Sequence, residues 1–198
     1  MMSKKFIVSG LILGALFALI GIVSVKYCPA KQGPIVDFNY ARDAQTIKNF
    51  FDQDMYWLVA DPENYSVDFM LKYRSYSQDY LTAGKLQIKV IRDDNATVGF
   101  VAYYKKSVLK GFILFLDVDD AYRAKGYGQM LAQHAIDDLF AQGVTSIDIV
   151  TRPSNLRALR LYNRLGFVET ARDKDFVYLH KLKSVAYPVE PVASAVPV

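Results

Sequence analysis

Apolar and polar positions along the chain fall into four regimes. From Phe6 to Val25 no residue is charged. Twenty residues at helical rise cover ~30 Å, the thickness of a bilayer core. Lys31-Gln32-Gly33-Pro34 then reads as a linker with turn residues. Beyond it the periodicity becomes that of a folded domain. Ile35 to Tyr40 alternates as a short strand. Asp43 is a plausible N-cap for a helix through Phe50, Phe51, Met55 and Trp57, stopped by Asp61-Pro62. A second helical stretch runs over 67–76, with Met70, Leu71 and Tyr73 on one side. Three strand-like runs follow at 86–92, 97–104 and 112–118, with Asp93-Asp94-Asn95 and Lys110-Gly111 as turns. The third is nearly all apolar, as expected of a strand buried on both faces. A helix over 126–142 carries Met130, Leu131, Ala135, Leu139 and Phe140 inward and ends at Gly143. Ile147 to Val150 is a short strand, 155–165 a helix ended by Gly166, and 176–182 a last strand. The order is strand, two helices, three strands, helix, strand, helix, strand. It predicts an α/β to α+β mixed sheet with helices on both faces. In the last regime, 188–198, Pro, Val and Ala lack periodicity, so this tail is expected to be disordered.

Domain boundaries follow: 1–30 a hydrophobic anchor or signal segment, 31–187 one domain, 188–198 the tail. The anchor reading makes residues 6–25 a single membrane pass. Lys4 and Lys5 before the run, and Cys28-Pro29-Ala30 after it, leave a cleaved signal peptide and a secreted product as the alternative.

Composition narrows the function. The chain has 198 residues, 52% of them hydrophobic, enough for one domain with a real core. The formal charge is +4, but Lys4, Lys5 and Lys26 supply three of those charges, so the domain itself is near neutral. That argues against a nucleic-acid surface, which needs a concentrated basic face. One cysteine, Cys28, excludes an internal disulfide. His134 and His180 lie far apart, without ligand spacing, and no metal site is expected.

The chemistry concentrates after the buried strand 112–118. Arg123-Ala124-Lys125-Gly126-Tyr127-Gly128 leads into the helix. Glycines let the backbone turn and present its N–H groups, and the helix start adds free donors and the positive end of its dipole. Such a turn suits a phosphate or pyrophosphate, with Arg123 and Lys125 adding charge. No Gly-Lys-Ser/Thr follows, so it is not a P-loop, and Leu131 stands where a dinucleotide fingerprint needs its third glycine. Further on, Asn155 and Tyr162 lie seven apart, two helical turns, and project from one face.

Arg-x-x-Gly-x-Gly after a strand, followed by Asn155, Ala158 and Tyr162 on a helix ending in Leu165-Gly166-Phe167, resembles the GNAT N-acetyltransferase superfamily. The resemblance covers about 35–183, with its specific motifs confined to 112–168. It implies the acyl-CoA N-acyltransferase fold and acetyl-CoA as co-substrate, with transfer to an amine acceptor by direct attack in a ternary complex. It also implies roles. Backbone groups of Leu116 and Val118 bind the pantetheine arm, beside a bulge that splays this strand from the next. Amides from Arg123 through Ala124, Lys125, Gly126 and Tyr127 to Gly128 cradle the pyrophosphate. Asn155 bonds the cofactor arm, and Tyr162 points its hydroxyl at the sulfur as general acid. A backbone N–H near Val118 stabilises the carbonyl oxygen. Asp117 and Asp119 are candidate proton acceptors, placed on one side by strand alternation. Ala124 stands where the family has glycine, and Asp120 where it commonly has proline. Because acetyl-CoA is a cytosolic metabolite, the domain is expected to face the cytoplasm. A non-catalytic acyl-CoA sensor or interaction module on the same fold remains the alternative.

Overall fold

The computed structural model describes residues 34–184. The expected membrane span 6–25 and the tail 188–198 lie outside them. Among the described residues, no helix is long and apolar enough to cross a membrane.

Among the described residues, eleven strands and α-helices follow one another: β1 (Ile35–Asp37), α1 (Tyr40–Leu58), α2 (Val67–Tyr73), β2 (Gln87–Asp93), β3 (Ala96–Lys105), β4 (Lys110–Val118), α3 (Tyr127–Ala141), β5 (Ser146–Thr151), α4 (Leu156–Arg164), β6 (Val168–Arg172) and β7 (Val177–Leu182). The seven strands form one sheet in the order β1-β2-β3-β4-β5-β7-β6. Every pairing is antiparallel except β4 with β5.

Period-two alternation gives the sheet two apolar faces, and each is covered. Phe100 and Ala102 of β3 point to one side, where Ile47, Phe50 and Phe51 of α1 and Met70 and Leu71 of α2 pack on them. Val101 and Tyr103 point to the other, against Leu131, Ala135 and Leu139 of α3. Burying a Leu, Ile or Phe side chain stabilises by about 1.5–3 kcal/mol, and Ile47, Phe51, Phe100 and Leu131 are all fully buried. Phe51 anchors the first layer, meeting the Phe115 ring edge-on at 5.0 Å. Gly143 and Gly166, both at positive φ, end α3 and α4 as their places in the sequence suggest.

The structure corrects the predicted pattern at several points. The cap of α1 is Asn39, whose side chain accepts the Arg42 N–H; Asp43 lies one turn inside. Asp43 is instead a buried tie, accepting from Arg92 Nη1 at 2.9 Å, Arg92 Nη2 at 3.2 Å, the Thr97 hydroxyl at 2.9 Å and the Asn39 N–H at 2.8 Å. The second helix stops at Tyr73 because Arg74 turns left-handed. The strand β6 is additional: all five of its residues are exposed, and it pairs only with β7.

One irregularity opens the molecule. Tyr103 pairs with Ile113 and Ala102 with Phe115, so Leu114 is an extra residue bulging from β4. The β4–β5 pairing ends at the same place, with Ile113 opposite Ile149. Beyond it the two strands diverge.

Candidate active site

The divergence of β4 and β5 leaves a cleft of about 1080 Å³. Its walls are the second half of β4, the loop into α3, the end of β5 and one face of α4, with the last turns of α1 at one end.

The loop into α3 is held in a conformation that exposes its amides. Ala124 sits at φ 63° and Gly126 at φ 93°, both left-handed. Gly126 is the N-cap of α3 and offers no side chain to its own helix. Among the described residues, none of the backbone N–H groups from 124 to 129 finds an acceptor. Six consecutive free donors at the positive end of a 15-residue helix form an anion cradle. Tyr127 fixes the cradle from behind. Its ring is buried, its hydroxyl donates to Asp93 Oδ2 at 2.8 Å, and burial, followed by that hydrogen bond, pushes its pKa up to about 12. Gly128 lines the cleft as expected. The Lys125 ammonium lies 4.6 Å from the centre of the Tyr122 ring, and Lys125 is not among the residues lining the cleft.

Arg123 is employed differently from the expectation that its charge serves a phosphate. Its Nε donates to the Val118 carbonyl at 2.7 Å, Nη2 to Asp117 Oδ1 at 3.2 Å and also to Asp54 Oδ2, and Nη1 pairs with Asp120. The guanidinium is a clasp for three carboxylates.

Asp117 and Asp119 are not brought together. Strand alternation ends at Val118: Asp119 caps the following turn through the Ala121 N–H and is not among the cleft-lining residues. Asp117 lines the cleft. Its side chain is 10% exposed, and its Oδ2 has no hydrogen-bond partner among the described residues. Burial, and then the charge of Asp54, push its pKa up to about 7; the Val118 N–H and Arg123 act in the opposite direction.

The Asp119 N–H donates to Val98 O on β3. By alternation, the N–H groups of Leu116 and Val118 therefore point away from β3. Leu116 lies past the last β4–β5 pair and presents its backbone to the cleft. The Val118 backbone is engaged: its N–H donates to Asp117 Oδ1 at 2.8 Å, and its carbonyl accepts from Arg123. The expected oxyanion donor is thus held by a neighbouring carboxylate.

Asn155 and Tyr162 both line the cleft. Asn155 is also the N-cap of α4, its Oδ1 accepting the Ala158 N–H at 3.1 Å. The cap uses the oxygen and leaves the amide hydrogens for a ligand, so capping and binding readings coexist. The Tyr162 ring is buried and meets Phe167 edge-on at 5.8 Å. Its hydroxyl makes no hydrogen bond among the described residues, and burial, then the nearby Asp117 charge, push its pKa upward. Among the described residues, no group of three or more His, Cys, Asp or Glu side chains could hold a metal.

Sequence reasoning missed Asp54. It interrupts α1 with φ −117° and ψ 19°, and its carboxylate reaches Arg123 across the cleft. No local signal distinguishes it from Asp52, which is exposed on the same helix.

An independent comparison agrees with this geometry. The family model for the acetyltransferase (GNAT) family matches residues 48–167, more than half of the chain. Over 92 residues the chain is 33% identical to a [ribosomal protein bS18]-alanine N-acetyltransferase of Salmonella typhimurium, covering 46% of this chain and 60% of that protein. Over 69 residues it is 38% identical to N-alpha-acetyltransferase 30 of Xenopus laevis, covering 35% and 25% respectively. The matches thus span 60% or less of these relatives' length. Among solved structures, a putative acetyltransferase from Salmonella typhimurium with its cofactor acetyl-CoA superimposes with a TM-score of 0.62 at 18% identity, over 79% of this chain and 97% of that one. At that identity the likeness is one of fold. The bulged strand, the open amide cradle and the family match converge on one assignment: the chain belongs to the GNAT acetyltransferase family.

Proposed function

We propose that this protein is an N-acetyltransferase that takes its acetyl group from acetyl-CoA and delivers it to an amine in a ternary complex. The observation carrying this reading is the run of six acceptorless amides at 124–129, opening on the cleft that also receives Tyr162 and Asp117. The residues fit an elongated ligand with an anionic middle. The cradle would hold the pyrophosphate, while the Leu116 backbone and the Asn155 amide would hold the pantetheine arm along the splayed edge of β4. Acetyl-CoA, when bound, supplies a thioester acyl group open to attack by a neutral amine.

Two side chains then manage protons. Asp117, with a pKa raised to about 7, can accept the proton of an incoming ammonium near neutral pH. Tyr162, with its pKa raised, stays protonated and can donate to the departing thiolate. The Val118 N–H becomes available to a developing oxyanion only when Asp117 Oδ1 releases it. Holding both substrates in one cleft supplies proximity. The relatives' names include a ribosomal-protein alanine and an N-alpha acetyltransferase, which supports an amine acceptor without choosing among amines.

The uncharged run from Phe6 to Val25 supports a tether in the form of a single membrane pass, and the need for acetyl-CoA, a cytosolic metabolite, favours a domain facing the cytoplasm. Retention of the native protein in alkali-washed membranes tests the tether. A native mass lacking about the first 30 residues would replace it with the cleaved-signal, secreted reading.

Calorimetry of acetyl-CoA against the full chain in detergent, beside Gly126→Glu, tests the cofactor site. The glutamate places a carboxylate at the mouth of the cradle, at a φ that only glycine adopts freely. Micromolar binding that disappears in the variant is expected. A folded wild-type chain that binds nothing would overturn the proposal. Binding with no transfer to any amine would favour a sensor.

A further inference from the structure

The helix α1 is broken at Asp54, four residues before its end. Non-helical backbone inside a helix persists only where its surroundings hold it. Here the holding contact is visible: the break delivers the Asp54 carboxylate to Arg123, on the far side of the cleft. The nitrogen that receives it, Nη2, is the same one that donates to Asp117 Oδ1. The other guanidinium nitrogens serve the Val118 carbonyl and Asp120. Arg123 thus gives Asp117 a single hydrogen bond, on one oxygen, from a nitrogen it shares with Asp54, and Oδ2 has no partner among the described residues.

Arginine ordinarily takes a carboxylate with a two-pronged fork, which neutralises it and makes it a poor base. We infer that Asp54 is a positioning residue that acts through Arg123, dividing the guanidinium so that Asp117 is oriented but not neutralised. The inference rests on the proposed acetyl transfer for its purpose, though not for its geometry. The charged and titratable groups around Asp117 are Asp54 from α1, Arg123 and its partner Asp120 from the loop, and Tyr162 from α4; the Val118 N–H is the donor from β4. Apart from Tyr162, Asp54 is the one placed there by an element remote from the loop and β4.

The sign of the effect follows. A second negative charge sharing one cation keeps Asp117 protonated to higher pH. Removing that charge while keeping the shape, as in Asp54→Asn, leaves a neutral amide on Nη2 and a larger share of the guanidinium's charge for Asp117. The Asp117 carboxyl should then titrate about one pH unit lower. The acid limb of kcat/KM should move down by the same amount, with KM for acetyl-CoA little changed. Asp54→Glu, which restores the charge, should return both midpoints toward wild type. A merely structural Asp54 would scale the rate equally at every pH.

The experiment is a carbon-13 NMR titration of the full chain in detergent, labelled at aspartate carboxyls, with the Asp117 signal assigned by its loss in Asp117→Asn. The wild-type Asp117 curve should be biphasic, because the two carboxylates share one partner. A single-phase wild-type curve, or a midpoint that does not move in a folded Asp54→Asn, overturns the inference, and the wild-type curve decides the matter should that variant not fold. NMR reads the coupling without any turnover. A chain that couples the two carboxylates but acetylates nothing would leave this inference standing and retire the acetyltransferase reading instead.

Discussion

Substituting Asp43 by alanine probes the tie that seats α1 on the sheet, and with it the placing of Asp54. Asp43 is fully buried and accepts four hydrogen bonds, two of them from Arg92, which is itself 8% exposed. The alanine leaves a guanidinium out of water without a counter-charge, and breaking one partner of such a pair costs about 3–5 kcal/mol. For a domain of this size each kcal/mol moves the melting temperature by about 2–4 °C, so a fall of roughly 6–20 °C is expected. The double variant Asp43→Leu with Arg92→Met removes both charges and should recover most of that loss, since well-packed apolar replacements of buried pairs are often neutral. Thermal unfolding followed by circular dichroism measures both. A single variant that loses less than about 1 kcal/mol would show that Arg92 finds water or another partner, and a double variant no better than the single one would place the stability in packing rather than in the charge. The pH dependence has a definite sign. Burial raises the pKa of Asp43, but the Asn39 N–H, Arg92 and Thr97 outweigh it and leave the pKa below the usual 3.8. The stabilisation is therefore fully present above about pH 4 and is lost as pH falls through the depressed native value.

Further expectations concern the cleft. Tyr162→Phe removes a hydroxyl with no partner among the described residues, so stability and acetyl-CoA affinity should hold while kcat falls about 10²–10⁴-fold; unchanged turnover in a thiol-release assay would end the general-acid role. Ala124→Gly relieves a left-handed alanine, which costs about 1–2 kcal/mol, less the entropy that glycine adds to the unfolded chain; a rise of a few degrees in melting temperature is expected, and a fall would refute the strain. Tyr127→Phe breaks the bond to Asp93 behind the cradle and should weaken acetyl-CoA binding several-fold by calorimetry, with kcat at saturation nearly unchanged.

Much of this was legible in the sequence because its signals are local. The apolar run of β4, the glycine turn and the inward stripe of α3 each follow from neighbours within a few residues. The misses share the opposite property. The β6 segment Val-Glu-Thr-Ala-Arg has no apolar face to bury and becomes a strand only because β7 offers an edge. Asn39 and Asp43 are both good capping residues, and Arg92, 49 positions further along, decides between them by claiming Asp43 for the interior. Alternation placed Asp117 and Asp119 together, but the strand ends between them. Asp54 had no local mark at all; its place follows from a helix break and a guanidinium 69 positions away.

The parting of β4 from β5 leaves two strand edges facing each other inside a single sheet. Edges of this kind recruit whatever extended chain is available, and proteins ordinarily blunt them. Under the proposed function the plug would be the coenzyme arm, lying along β4. A ligand at a hundred times its dissociation constant adds about 2.7 kcal/mol to the folded state. The concentration of coenzyme would then govern how long the protein lasts as well as how fast it works. A cell short of acyl-CoA would hold a looser population of this protein, more open to mispairing and to proteases before any acceptor is missed.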